Sequence, residues 1–274
     1  AARTGENDAG TERTPVTPAT VSADRALSLS PALLAAFGEV SPALLDARAL
    51  LERVDRKYLL PTTLLEPLLA RLTVGYRVLN AAGHLVATYD TRYFDTPDRR
   101  MYDDHRRGRR PRHKVRIRHH VERQVSFLEI KRKAGDRQTS KWRRTHDFGD
   151  SVLGEDSQRF IDRHCPLEAA TLVPRVDVTF SRMTLVGQQV NERLTLDWLL
   201  EYSDGIRRES LDGVVIAEVK QGRFSNSSPS IRALRELGVR EGSISKYCLA
   251  TARLSNVRTN TFKAALKAVE SIAS

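Results

Sequence analysis

FLEIKRK, residues 127–133, decides how the rest of the chain is read. In an extended strand successive side chains alternate between faces, so Phe127, Glu129, Lys131 and Lys133 share one face while Leu128, Ile130 and Arg132 share the other. One strand of this kind suits any half-solvated sheet, so its meaning depends on whether other strands repeat it. Three do. Asp55 and Lys57 are two apart in RVDRKYLLP (53–61), Arg116 and Arg118 in HKVRIRHHV (113–121), and Glu218 and Lys220 in VVIAEVK (214–220). Ordinary outward faces mix Thr, Ser, Gln, Lys and Glu, whereas these sets are concentrated in Arg, Lys and carboxylates.

Further strands are expected at 84–94, 125–133, 173–187, 190–196 and 205–209, with Gly205, Gly213 and Gly222 at turns. Short helices are expected within 30–53, broken near Gly38, and at 62–72, 228–239 and 262–274. Many strands in succession, with no repeated strand–helix–strand unit, imply a mainly β, α+β fold: an antiparallel closed tunnel or barrel with flanking helices. Closure removes exposed edges and creates an inside. Residues 1–25, polar and proline-containing, read as a disordered lead-in; 26–50 as N-terminal helices; 51–252 as the tunnel domain; and 253–274 as a C-terminal helix.

Lys and Arg outnumber Asp and Glu by 45 to 34, a formal charge of +11 that attracts polyanions without choosing among them. The run HRRGRRPRHK (105–114) would lie in solvent in most folds. No uncharged apolar run approaches the roughly 18 residues needed to span a bilayer. The expectation is a cytoplasmic protein that meets the inner face of a membrane only through a membrane-protein partner on another chain. Cys165 and Cys248 read as reduced core residues. His119 and His120 point to opposite faces of a strand, which argues against zinc, and there is no GxxxxGK[ST] or GxGxxG loop.

If the charged faces turn inward, desolvated cations repel one another and need a polyanion. Arginine forks and lysine point charges suit phosphate, and the few carboxylates among them suit a divalent cation shared with phosphate oxygens. RVDRKYLL (53–60), YDTRYFDTPD (89–98), KVRIRHH (114–120), LEIKRK (128–133), Phe180-x-Arg182, NERLTLD (191–197), EVK (218–220) and SKY (245–247) together resemble the polyphosphate polymerase domain of the vacuolar transporter chaperone family, among the triphosphate tunnel metalloenzymes. The resemblance covers about residues 50–250. It implies an eight-stranded tunnel holding a triphosphate with Mn²⁺ or Mg²⁺. By position it implies phosphate contacts from Lys57, Arg116, Arg118, Lys131, Lys133, Arg182, Arg193 and Lys246, to which phase adds Lys220. Glu218 is the main metal-binding carboxylate so implied, with Glu129 and Asp55 as further candidates; Asp55 stands where the family commonly has glutamate. Lys57, Arg116, Arg118, Lys131, Lys133 and Glu218 form the catalytic set. Nothing in spacing fixes the direction of Lys141 and Arg143.

The implied activity is metal-dependent transfer of the γ-phosphoryl group of ATP to a growing polyphosphate chain, releasing ADP. The acceptor is itself a phosphate oxygen, so no dedicated base is demanded, which agrees with the lack of an evident triad. Water as acceptor would make the same tunnel an inorganic, nucleoside or RNA triphosphatase, and spacing does not separate the two. A reading of another class makes 105–114 a nucleic-acid-binding surface. The chain lacks paired stacking aromatics on a strand face and a base-reading helix, which argues against specific nucleic-acid binding.

Overall fold

The alternation of apolar and polar residues that marks each strand also decides what each strand packs against. The structure, a computed structural model, describes residues 29–48, 50, 53–135, 139–242 and 245–273; the lead-in read over 1–25 lies outside the described residues. In chain order the elements are α1 (Pro31–Ala35), α2 (Pro42–Ala47), β1 (Val54–Pro61), α3 (Leu65–Ala70), β2 (Tyr76–Val78), β3 (Val86–Asp95), α4 (Arg100–Arg106), β4 (Arg112–His120), β5 (Val125–Lys133) and β6 (Thr139–His146). They continue with α5 (Glu155–His164), β7 (Val173–Gly187), β8 (Glu192–Ser203), β9 (Arg208–Leu211), β10 (Val214–Gln221), α6 (Pro229–Glu236), β11 (Glu241–Gly242), α7 (Lys246–Leu254) and α8 (Lys263–Ala273). Among the described residues no helix is long and apolar enough to cross a membrane.

All eleven strands belong to one antiparallel sheet, ordered β11-β1-β10-β8-β7-β3-β4-β5-β6, with β2 added to β7 and β9 to β8. Eight strands run for eight residues or more, β1, β3 to β8 and β10, and they form the wall the sequence leads one to expect. The expected closure is not made by hydrogen bonds: β6 and β11 end the pairing path. The two sides approach instead through side chains, Lys131 Nζ of β5 lying 4.0 Å from Asp55 Oδ2 of β1. A charged, mostly exposed β6 explains the stop, because Lys and Arg on an edge strand discourage further pairing.

Both faces of the sheet are covered. Outside β4 and β5, Val115, Ile117, Leu128 and Ile130 are fully buried with Met101 of α4 and Ile161 of α5. Outside β7, β8 and β10, Met183, Leu185, Leu196, Trp198, Ala217 and Val219 pack with Leu65, Leu68 and Leu69 of α3 and Leu234 of α6. A third cluster fills one end of the inner face: Val176, Val178, Leu200, Tyr202, Val214 and Ile216 meet Tyr247, Cys248 and Leu254 of α7. Cys165 and Cys248 are free, buried and in different clusters, as expected.

β8 corrects the sequence reading. It was expected to end at 196 but continues to Ser203, because a register shift opposite Thr179–Ser181, with Leu199 at φ 51°, inserts a bulge. Asp197 faces inward in the phase of Arg193 and Thr195, and the bulge after it lets Leu200 and Tyr202 face inward as well, at a spacing that breaks period two. The strand read at 205–209 begins later, at Arg208, and 139–146, around Lys141 and Arg143, where no strand was expected, is strand β6.

Candidate active site

Three carboxylates on the inner face are each held between two cations. Glu218 of β10 lies opposite Lys57 of β1; Lys57 Nζ donates to its Oε1 at 2.5 Å and Lys220 Nζ to its Oε2 at 2.5 Å. Asp197 of β8 lies opposite Arg182 of β7, which donates through Nε at 2.5 Å and Nη2 at 2.7 Å, while Lys246 Nζ donates to its Oδ2. Glu129 of β5 lies opposite Arg116 of β4, whose Nε and Nη2 are 2.8 and 2.6 Å from Oε2, and Lys141 of β6 donates to Oε1. In each case cross-strand pairing places one cation; the second comes from the same strand for Glu218 and from another element, α7 or β6, for Asp197 and Glu129. Each trio carries one positive charge in excess.

Burial makes that excess consequential. Only 2% of the Asp197 side chain and 4% of that of Glu129 are exposed. Burial pushes these carboxyls upward, but Arg182 and Lys246 hold Asp197, and Arg116, Arg118 and Lys141 hold Glu129, well below the usual carboxylate range. Glu218 is likewise held low against burial, by Lys220 and Lys57. The acids therefore stay ionised and bring the cations together without neutralising them.

Arg118 and Lys114 add two cations whose hydrogen bonds go to hydroxyls. Arg118 Nε donates to Thr91 Oγ1 at 3.2 Å, and burial together with Arg116 pushes the guanidinium down to about 10. Lys114 Nζ donates to Ser245 Oγ at 2.6 Å, and burial lowers its pKa. Ser245 also accepts from Cys248 N and so caps α7, which puts Lys246 in the first turn of a helix directed at the charged face. Asp95 anchors that helix: it is fully buried, accepts from Met101 N and Tyr102 N at 2.9 Å each, and takes the Tyr247 hydroxyl at 2.5 Å.

The residues expected from the sequence divide. Lys57, Arg116, Arg118, Arg182, Glu218, Lys220, Lys246 and Glu129 converge as described. Lys131, its side chain 44% exposed, sits at the seam beside Asp55, and Lys133 follows it on the same face at the end of β5. Arg193 shares the phase of Thr195 and Asp197, but its Nη2 donates to the carbonyls of Arg48 at 2.7 Å and Leu45 at 3.4 Å, so it secures the end of α2. Asp55 pairs with Arg53 at 2.9 Å. The three carboxylates proposed for metal are not brought together: among the described residues no group of three or more His, Cys, Asp or Glu could hold a metal ion. Sequence reasoning missed Asp197 and Lys114 and left the direction of Lys141 open. Lys114 was legible, being two residues before Arg116, and so was Asp197, which keeps the phase of Arg193 and Thr195 one residue past the expected strand end; Lys141 lies on the strand that the sequence did not reveal.

The sequence matches the VTC domain over residues 52–255. No curated protein matches the chain. Among solved structures it is similar to a candidate adenylate cyclase from Bacillus halodurans (14% identity, 75% of this chain and 98% of that one, TM-score 0.48). It is also similar to a candidate adenylyl cyclase from Hippeastrum reported to have a dominant triphosphatase activity (13% identity, 75% and 97%, TM-score 0.47). A third is a candidate adenylate cyclase from Vibrio parahaemolyticus (12% identity, 72% and 95%, TM-score 0.40).

Proposed function

We propose, from the premise that this chain belongs to the VTC domain family, that it transfers the γ-phosphoryl group of ATP to the end of a polyphosphate chain. The observation that carries this reading is the set of three doubly paired acids, with Arg118 and Lys114 beside them. Such a face attracts an anion with several adjacent charges and stabilises charge that spreads over phosphoryl oxygens during transfer. A terminal oxygen of the acceptor chain attacks the γ-phosphorus, the bond from that phosphorus to the β,γ-bridging oxygen breaks, and the electron pair leaves on the β-phosphate of ADP. One new phosphoanhydride replaces the one broken.

Hydrolysis is the rival outcome, and the acids bear on it. Glu129, with both oxygens committed to cations and its carboxyl held low, is a weak base for water. A phosphate acceptor needs no such base, which favours transfer. A divalent cation here would take most of its ligands from phosphate and water: Glu218, whose two oxygens are on Lys57 and Lys220, would hold it by exchanging one of those contacts, with Asp55 on the adjacent strand and the same face, and the cation would supply further charge neutralisation. The nucleic-acid reading is weakened because Arg106, Arg107 and Arg109 of the external basic run already pair with Asp103 or Asp104.

The test is incubation of the protein with ATP and Mn²⁺, with and without a chelator, followed by separation of products by chain length. Long, acid-labile phosphate chains that form only with metal support transfer. Orthophosphate and short products alone would establish hydrolysis instead.

A further inference from the structure

Along the inner face of β4 the residues run Lys114, Arg116, Arg118, His120, and along antiparallel β5 they run Lys131, Glu129, Phe127 in the same spatial direction. Both strands pass from charge to ring in that direction, Phe127 lying opposite Arg118 and His120 one step further on. The two neighbouring strands extend the line of rings, with Tyr89 of β3 opposite both His120 and Phe180 of β7, and on β7 a further cation, Arg182, follows one step beyond Phe180. Four adjacent strands thus contribute one ring each to a continuous row. Tyr89 stacks on Phe180 at 5.4 Å and 5°, Tyr89 meets His120 at 4.6 Å, and His120 meets Phe127 edge-on at 5.5 Å.

This row is not simply core. Phe180 is fully buried, but Tyr89, His120 and Phe127 are only half-buried. Their faces already attract planar cations: Arg143 lies 4.2 Å from the centroid of Phe127, and Arg182 lies 5.0 Å from that of Tyr89. Burial, reinforced by Arg118, pushes His120 down to about 3, so at neutral pH its ring is uncharged and both donates and accepts hydrogen bonds. An inorganic phosphate chain has nothing to place against such rings. A nucleoside triphosphate has a flat base at one end and its phosphates at the other, the same order as rings and cations along β4 and β5.

We infer that the half-buried row Tyr89–His120–Phe127, backed by Phe180 and flanked by Arg143, holds the nucleobase of a purine nucleoside triphosphate whose phosphates lie on the neighbouring cations. The inference rests on the tunnel reading above and adds the site that distinguishes a nucleotide donor from inorganic triphosphate. A purine is favoured because stacking strength, which grows with ring overlap, sets preference on aromatic platforms.

Calorimetric titration tests it, with EDTA present and two probes, the β,γ-imido analogue of ATP and inorganic tripolyphosphate, against wild type, Phe127→Leu and Tyr89→Leu. Base–aromatic stacking accounts for about 5- to 100-fold in affinity per base, so each variant should bind the nucleotide about ten-fold more weakly. Tripolyphosphate affinity should change by less than about two-fold. Equal losses for both probes, or a loss for neither, overturn the base site. Should Tyr89→Leu unfold, Phe127→Leu on the half-buried side decides alone. Failure of wild type to bind tripolyphosphate would bring down the tunnel reading and the base site with it, a result separable from the selective loss.

Discussion

The two faces of the β4–β5 hairpin put their large side chains to opposite ends. Outward, Val115, Ile117, Leu128 and Ile130 lose all contact with water against α4 and α5, and that burial stabilises the fold. Inward, Arg116, Arg118 and Glu129 are also largely withdrawn from water; pairing outweighs desolvation for Arg116 and Glu129, whereas for Arg118 desolvation and the neighbouring Arg116 prevail. One face makes the wall stable, and the other uses part of that stability to keep cations close together. Changes on the outer face should therefore move stability without binding, and changes on the inner face should move binding without a matching loss of stability, unless they remove an acid.

The acid is the exception with the largest expected effect. Asp197→Asn leaves Arg182 and Lys246 buried with no carboxylate between them, so the empty protein should lose about 3–5 kcal/mol. Saturating tripolyphosphate, which supplies negative charge to the same face, should restore part of that in thermal melting; no recovery would mean that the anion binds elsewhere. On the outer face Ile130→Ala should cost about 2–5 kcal/mol in chemical denaturation. Its tripolyphosphate affinity should stay at the wild-type value, and a large change would show that the two faces are not independent.

Arg118→Ala removes a cation that has no carboxylate hydrogen-bond partner. Loss of a charge-assisted phosphate contact, about 1.5–3 kcal/mol, predicts tripolyphosphate binding weaker by about 10- to 100-fold in calorimetry. The melting temperature without ligand should hold or rise, because a repelling charge has gone; a fall in both would place Arg118 among the structural residues.

A pH titration sharpens the same contrast more gently. Although their side chains are 44% and 40% exposed, Lys131 is pushed down to about 8 by its partial burial and by Lys57, and Lys141 to about 8 by partial burial that outweighs the pull of Glu129. An unfolded lysine titrates near roughly 10.4. Between those values the unfolded chain holds protons that the folded protein has released, so the contribution of these groups to stability rises with pH from about 8 to about 10. Phosphate affinity should fall across the same interval as the cations disappear. Melting and tripolyphosphate titrations at matched pH check the opposed trends, and Lys131→Arg, which stays charged, should flatten the affinity decline. The smallest effect belongs to Arg132→Ala. Arg132 lies in the phase of Leu128 and Ile130, and its removal should change stability by no more than about 0.5 kcal/mol and affinity by less than about two-fold. A greater loss than in Lys131→Ala would reverse the assigned phase.

Period two in FLEIKRK, KVRIRHH and AEVK was enough to assign faces, because strand geometry allows a side chain only two directions. That made the antiparallel wall, the cations of β1, β4, β5 and β10, and the roles of Leu128 and Ile130 readable without coordinates. Lys114 was equally readable in principle. Where the period breaks, as at the bulge beside Leu199, the same reasoning lost the end of β8; Asp197, which still keeps the phase of Arg193 and Thr195, was dropped because it lies one residue past the expected end. Arg193 shows the opposite limit: its phase is the expected one, but α2 supplies carbonyls that hold its guanidinium.

The sequence by itself therefore determined which residues face which way, since that depends on neighbours in the chain and on backbone geometry alone. Tertiary structure decided which charges meet. Asp197 finds Arg182 across a strand pair and Lys246 from a helix capped fifty residues later; Glu129 finds Lys141 on a strand whose polar composition did not announce it. It also decided that β6 and β11 would not join, leaving Lys131 and Asp55 to face each other across the seam. Electrostatic pairing acts through space over a few ångströms, so its partners are set by how the strands align, the helices dock and the bulges fall, none of which a two-residue repeat encodes.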